Sequence, residues 1–113
     1  MRIANQTKGT ELASDARAAR SLRSRAVGLL GKSSLPAGRA LLIEPCSSVH
    51  TAFMRFAIDV VYVDRSRRVV KVVANLKPFR MSAARGRCSV IELPSGVIAA
   101  SKTAPGDQLA FEG

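Results

Sequence analysis

Two apolar runs set on either side of a charged turn constrain this chain most. Drawn as an extended strand, Met54 to Val63 alternates. Met54, Phe56, Ile58, Val60 and Tyr62 fall on one face, and Arg55, Ala57, Asp59, Val61 and Val63 on the other. The first face is apolar throughout and must meet a core. Asp64-Arg65-Ser66-Arg67 is a polar turn, and Arg68 to Ala74 is a second β-branched run. Two such runs around a short polar turn read as a hairpin.

The remaining segments are mostly short strands. Ala40 to Ile43 is an apolar run closed by Pro45, and Cys88 to Leu93 is another, broken by Pro94-Ser95-Gly96. Gln108 to Phe111 follows the turn Pro105-Gly106-Asp107 as a last strand, and residues 10–15 suit an edge strand. Leu35-Pro36-Ala37-Gly38 reads as a turn, and Lys77 to Arg87 as a loop or irregular edge. Ala16 to Leu30 has helix-favouring Ala, Leu and Arg with Gly31 as a stop, and Val97 to Ser101 suits one or two helical turns. Regularly alternating helices are missing, which excludes a doubly wound sheet. The expected fold is mostly β, a compact sandwich or barrel-like single domain over residues 1–113 with one or two short helices. With 113 residues, no Trp, one Tyr and four Phe, its one core must be built from Val, Leu, Ile and Ala. The polar first forty residues are expected to wrap the rest.

Charge bears on partners. Lys and Arg number 18 against 8 Asp and Glu, a net +10. Such an excess is either a solvated surface or the footprint of a polyanion partner, which also needs a patch and a groove or aromatic platform. Arg65, Arg67 and Arg68 at the hairpin turn, with Lys77, Arg80, Arg85 and Arg87 beyond it, are the polyanion candidates; Phe79 is the one aromatic near them. The N-terminus lacks an apolar leader and no stretch approaches 18 consecutive apolar residues. The expectation is a soluble cytoplasmic monomer without membrane insertion. Its two cysteines, Cys46 and Cys88, form no CxxC pair and are expected to be reduced.

Reactive residue types are densest between Pro45 and Met54. Cys46 and His50, the only histidine, stand four apart. Thiolate and imidazole suit zinc or copper, but a closed zinc site wants four ligands, and only Cys88 and Asp59 could complete it. A Cys46–His50 nucleophile pair would need a group to orient the imidazole, a part open to Asp59. The simpler reading has Cys46 as a small buried hydrophobe and His50 as a hydrogen-bonded loop residue. Asp59, among apolar neighbours, must be compensated, either by Arg55 or another arginine or by backbone amides of the preceding loop. No phosphate-loop, dinucleotide or metalloprotease pattern occurs. The sequence therefore favours a non-enzymatic binding domain without metal or cofactor, for a small molecule or a polyanion. Its candidate ligand-binding residues are Cys46, His50, Thr51, Arg55, Asp59 and Arg80. The alternatives are a metal-dependent or thiol enzyme using Cys46 and His50, and a polyanion (nucleic-acid) binder acting through the basic loops.

Three blocks in order carry a family resemblance. They are Arg23 to Leu35 with Gly28-Leu29-Leu30-Gly31-Lys32; Pro45-Cys46 through Val49-His50-Thr51, Met54-Arg55-Phe56 and Ile58 to Asp64; and Ile91 to Gly96 followed by Pro105-Gly106-Asp107-Gln108-Leu109. Over about residues 10–111 the chain resembles the bacterial and archaeal family catalogued as domain of unknown function 192. The resemblance implies a compact β sandwich or barrel-like domain with small helices, and brings no activity, cofactor or catalytic residue. Other branches of that family carry an aromatic and Met where this chain has His50-Thr51, and commonly Pro at Ala57. It follows that chemistry requiring His50 would not be family-wide.

Overall fold

A computed structural model describes residues 1–19, 35–44, 48–50, 56–86 and 88–113. In chain order its strands are β1 (Arg2–Asn5), β2 (Thr10–Ala13), β3 (Asp15–Ala19), β4 (Arg39–Ile43), β5 (Ser48–His50), β6 (Ile58–Val63), β7 (Val69–Leu76), β8 (Met81–Ala83), β9 (Ser89–Pro94) and β10 (Leu109–Glu112). A helix over Val97–Ser101 lies between β9 and β10. The fold is mostly β, as the strand patterns require.

The hairpin is its centre. β6 and β7 pair antiparallel, with Val61 opposite Val72 and Tyr62 opposite Lys71. The Asp64 carboxylate shapes the turn by accepting the amides of Ser66 at 2.9 Å and Arg68 at 3.0 Å. These bonds, the Arg68 amide foremost, hold its carboxyl below the ordinary value. β6 also pairs with β9, and the five-stranded sheet runs β3-β4-β9-β6-β7. A three-stranded sheet runs β10-β1-β2, and β5 and β8 form a separate two-stranded ribbon.

The two larger sheets close on each other. At one margin Met1 and Ala16 exchange backbone bonds of 2.9 and 2.7 Å, which seats the start of β1 beside β3. At the other, Arg68 and Gln108 form an antiparallel bridge between the starts of β7 and β10. Where β2 gives way to β3, the amides of Ser14 and Asp15 both donate to the Gly38 carbonyl, at 3.0 and 2.9 Å. Gly38 sits at φ +80°, a left-handed conformation that suits glycine. The outcome is barrel-like, with few free edges. Inside it Ile3, Leu12, Leu42, Val61, Val63, Ile91, Leu93 and Leu109 form one core, with Ile98 of the helix among them.

Both faces of β6 are buried, because the outer face of the five-stranded sheet carries a second cluster of Ile43, Ile58, Val60, Tyr62, Leu76, Cys88 and Val90. Of the strand drawn from Met54, Met54 and Arg55 lie outside the described residues, Phe56 lies in a bend with Ala57 outside any strand, and β6 begins at Ile58. The helix expected from Ala16 to Leu30 needs correction. Ala16 to Ala19 belong to β3, laid parallel on β4 from Asp15 opposite Arg39 to Ala19 opposite Ile43; the remainder of that segment lies outside the described residues. Helix propensity is worth less than about 1 kcal/mol per residue, and the β4 ladder with burial of Ala16 in the core outweighs it. The polar N-terminus supplies a full strand, β1, between β10 and β2.

A polar knot closes the end of the barrel where the termini of β1 and β10 meet. The Asp107 carboxylate accepts from Asn5 Nδ2 at 3.0 Å, Lys8 Nζ at 2.8 Å and the Ala104 amide at 3.0 Å. The Asn5 bond, then Lys8, holds its carboxyl below the ordinary value against the opposing effect of burial. With the folded pKa below the unfolded one, the stabilisation is complete above about pH 4 and is lost as pH falls through the folded value. We expect Asp107→Asn to cost about 1–3 kcal/mol at neutral pH and to flatten the acid limb of the stability profile. Urea unfolding followed from neutral to acid pH measures both.

Candidate functional site

The β5–β8 ribbon lies over the outer face of the five-stranded sheet, pinned by Tyr62, whose hydroxyl donates to Ser82 Oγ at 3.0 Å with both groups buried. Within the ribbon Ser48 lies opposite Ala83, Val49 opposite Ser82, and His50 opposite Met81. That register sets the backbone of His50 beside the position next to Arg80. The structure thus joins the segment around His50 to the start of the 80s segment, two regions 30 positions apart in sequence. Cys46, Thr51, Arg55 and Arg87 lie outside the described residues.

Asp59 belongs to the opposite face. It alternates with Ile58 and Val60, so it points to the side of Val61 and Val63, away from the ribbon. Its carboxylate is fully buried and accepts three amides: Asn75 at 2.8 Å, Gly96 at 3.1 Å and Ile98 at 2.8 Å. The donors come from segments that follow Asp59, not from the preceding loop. Gly96, at φ +102°, supplies the backbone turn that aims its N–H at the carboxylate. Asp59 therefore ties the end of β7 and the start of the helix to β6. Asp59→Ala is expected to lower stability by about 2–4 kcal/mol, because three backbone donors, that of Ile98 buried, lose their acceptor. A loss below about 1 kcal/mol in urea unfolding would refute this bracing role.

Two polar groups of the outer face were not singled out from the sequence. Glu92 is fully buried on β9, between Leu41 of β4 and Val60 of β6. A lone acid within the run Ser89–Pro94 was the available signal. Ser82, the partner of Tyr62, carries no such signal. Cys88 is buried, and its thiol donates to the Arg85 carbonyl at 3.4 Å.

The basic residues divide into two groups. Arg67 forms a two-pronged pair with Glu44, at 3.1 and 3.3 Å, and stacks over Phe111 at 4.3 Å. The Arg67 bond, with that of Ser89, holds the Glu44 carboxyl below the ordinary value. Arg68 donates to the Gly106 carbonyl at 2.9 Å. Both arginines help to close the barrel. Arg65, Lys77, Arg80 and Arg85 are exposed. Lys71 reaches across to the Ala83 carbonyl at 2.6 Å, with its ammonium 5.9 Å from the Tyr62 ring centre. Lys71 and Arg85, with Val70, Ala83 and Ala84, line an open hollow of about 490 Å³ between β7 and the ribbon. No carboxylate occurs between Asp64 and Glu92, a stretch that holds eight Lys and Arg. This stretch runs along β7 and back through β8, and no Asp or Glu interrupts its cations in sequence.

Fold and surface together define a small barrel-like β domain that bears a basic, ribbon-covered outer face. The chain belongs to the family DUF192, described as an uncharacterized ACR, whose model matches residues 3–111. It is similar to a UPF0127 protein of Pyrococcus furiosus, 32% identical with 93% of each chain covered. A UPF0127 protein of Pyrococcus horikoshii is 34% identical, over 95% of this chain and 96% of its relative. Two solved structures share the fold. One is a protein of unknown function from Novosphingobium aromaticivorans, with TM-score 0.79 and 20% identity over 97% of this chain and 82% of that one. The other is a putative transcription regulator from Sinorhizobium meliloti, with TM-score 0.79 and 17% identity over 96% and 89%.

Proposed function

We propose that the protein is a non-enzymatic binding domain that takes an anionic ligand along β7 and the β5–β8 ribbon. The acid-free stretch from Arg65 to Ile91 carries this reading. It puts Arg65 before β7, Lys71 and Arg85 at the hollow beside it, and Lys77 and Arg80 beyond its far end. A row of cations without interspersed acids favours a ligand that carries several negative charges. The backbone of His50 adjoins the Arg80 end of this stretch, where the register brings the two segments together. Seven of the eight acids are held in ion pairs or by backbone amides, and Glu92 is buried within the sheet. Glu11 and Glu112 pair with Arg2, Asp15 with Arg39, Glu44 with Arg67 and Asp107 with Lys8, while Asp59 and Asp64 accept backbone amides.

Retention on immobilised heparin tests the proposal. The protein is expected to bind at low salt and to elute with a steep salt dependence. Arg80→Ala and Arg85→Ala should each reduce the logarithmic salt slope by roughly one. Absence of retention at low salt, or an unchanged slope in the double variant, would overturn the reading.

A further inference from the structure

Among the described residues the two most exposed large apolar side chains are Phe79, 73% accessible, and Met81, 76% accessible. They stand two positions apart on the segment that leads from β7 into β8, so they form one protruding tip and not two scattered accidents. Phe79 has φ +60°, in the left-handed region that side-chain-bearing residues avoid. Strain of this kind persists where the surrounding structure imposes it, and it clusters at functional segments. Pro78 precedes Phe79, and Lys77 and Arg80 stand close on either side, both exposed. The other described aromatics are placed differently. Tyr62 is buried, Phe56 packs against the outer cluster, and Phe111 lies under Arg67.

We propose that this tip docks on an anionic lipid surface, with Phe79 and Met81 entering the boundary between head groups and acyl chains and Lys77 and Arg80 remaining at the level of the phosphates. The inference builds on the anionic-ligand reading for its charge and adds an apolar component. An exposed ring and thioether with cations beside them match the interfacial pattern of apolar side chains below and basic groups above. A single-stranded nucleic acid would call for a series of stacking rings, and among the described residues Phe79 is the one strongly exposed aromatic. Contact is peripheral, since no helix among the described residues is long and apolar enough to cross a membrane.

The chain contains no Trp, so Phe79→Trp gives a single fluorescent reporter at the tip. Its emission should shift to the blue with vesicles of phosphatidylglycerol mixed into phosphatidylcholine, and stay unchanged with phosphatidylcholine alone. In vesicle sedimentation of the otherwise unaltered chain, Phe79→Ser with Met81→Ser should reduce binding several-fold, while heparin retention persists. No blue shift on the anionic vesicles, an equal shift on the neutral ones, or undiminished sedimentation of the double variant would overturn the proposal. So would quenching by oligouridylate without a response to vesicles, which would assign the tip to single-stranded RNA. If heparin retention holds while vesicle binding fails, only the lipid assignment falls. If the unaltered chain fails to bind heparin as well, the anionic-ligand reading falls with it.

Discussion

The carboxylate of Asp59 is buried, and it is met by three backbone amides that arrive from two later segments of the chain. Asn75 brings the end of β7, while Gly96 and Ile98 bring the turn and helix after β9. A carboxylate removed from water is tolerated only when its lone pairs are met. Here the need for satisfaction fixes three elements at once. The helix is five residues long and could not persist alone; anchored at its start by Asp59 and through Ile98 in the interior core, it becomes part of the barrel.

This frame leaves the other side of the five-stranded sheet for different duties. Inside the barrel the contacts are almost wholly apolar, whereas the outer face combines apolar Ile58, Val60 and Val90 with Tyr62 and Glu92. The ribbon over it is attached by side chains, with Tyr62 bonded to Ser82 and Lys71 to the Ala83 carbonyl. A surface held in this way presents side chains from three strands without taking part in the barrel's own closure. Division of labour among the cations follows the same line: Arg67 and Arg68 serve the frame, whereas Lys71, Arg80 and Arg85 border the ribbon.

Much of the fold could be read from the residues because it depends on local pattern. The β6–β7 hairpin, the strand at β9 and the Pro105-Gly106 turn follow from β-branched runs and turn residues. What escaped depends on pairing over long distances. Arg2–Asn5 carries no strong strand signal, yet it is the middle strand of its sheet because β10 and β2 flank it. Ala16–Ala19 favours a helix locally and becomes a strand through β4. At the site, the need to compensate Asp59 was visible from its apolar neighbours, whereas its donors were not, since backbone amides have no sequence signature. The meeting of the His50 and Arg80 segments is likewise a matter of register, which no spacing reveals.

The pairing of the first strand with the last has a consequence for how the molecule comes into being. Arg2 bonds Glu112 across a separation of 110 positions, and β1 is aligned on β10 along its whole length. During synthesis Arg2 emerges 110 residues before its partner Glu112, so β1 waits long for this neighbour. Closure is thus a late event, and loop-closure entropy sets a slow tempo for it. Until then one side of β1 remains an open template for strands of other nascent copies. The charges on Arg2, Glu11 and Glu112 across that sheet discourage such partners by making the native alignment the one in which opposite signs meet.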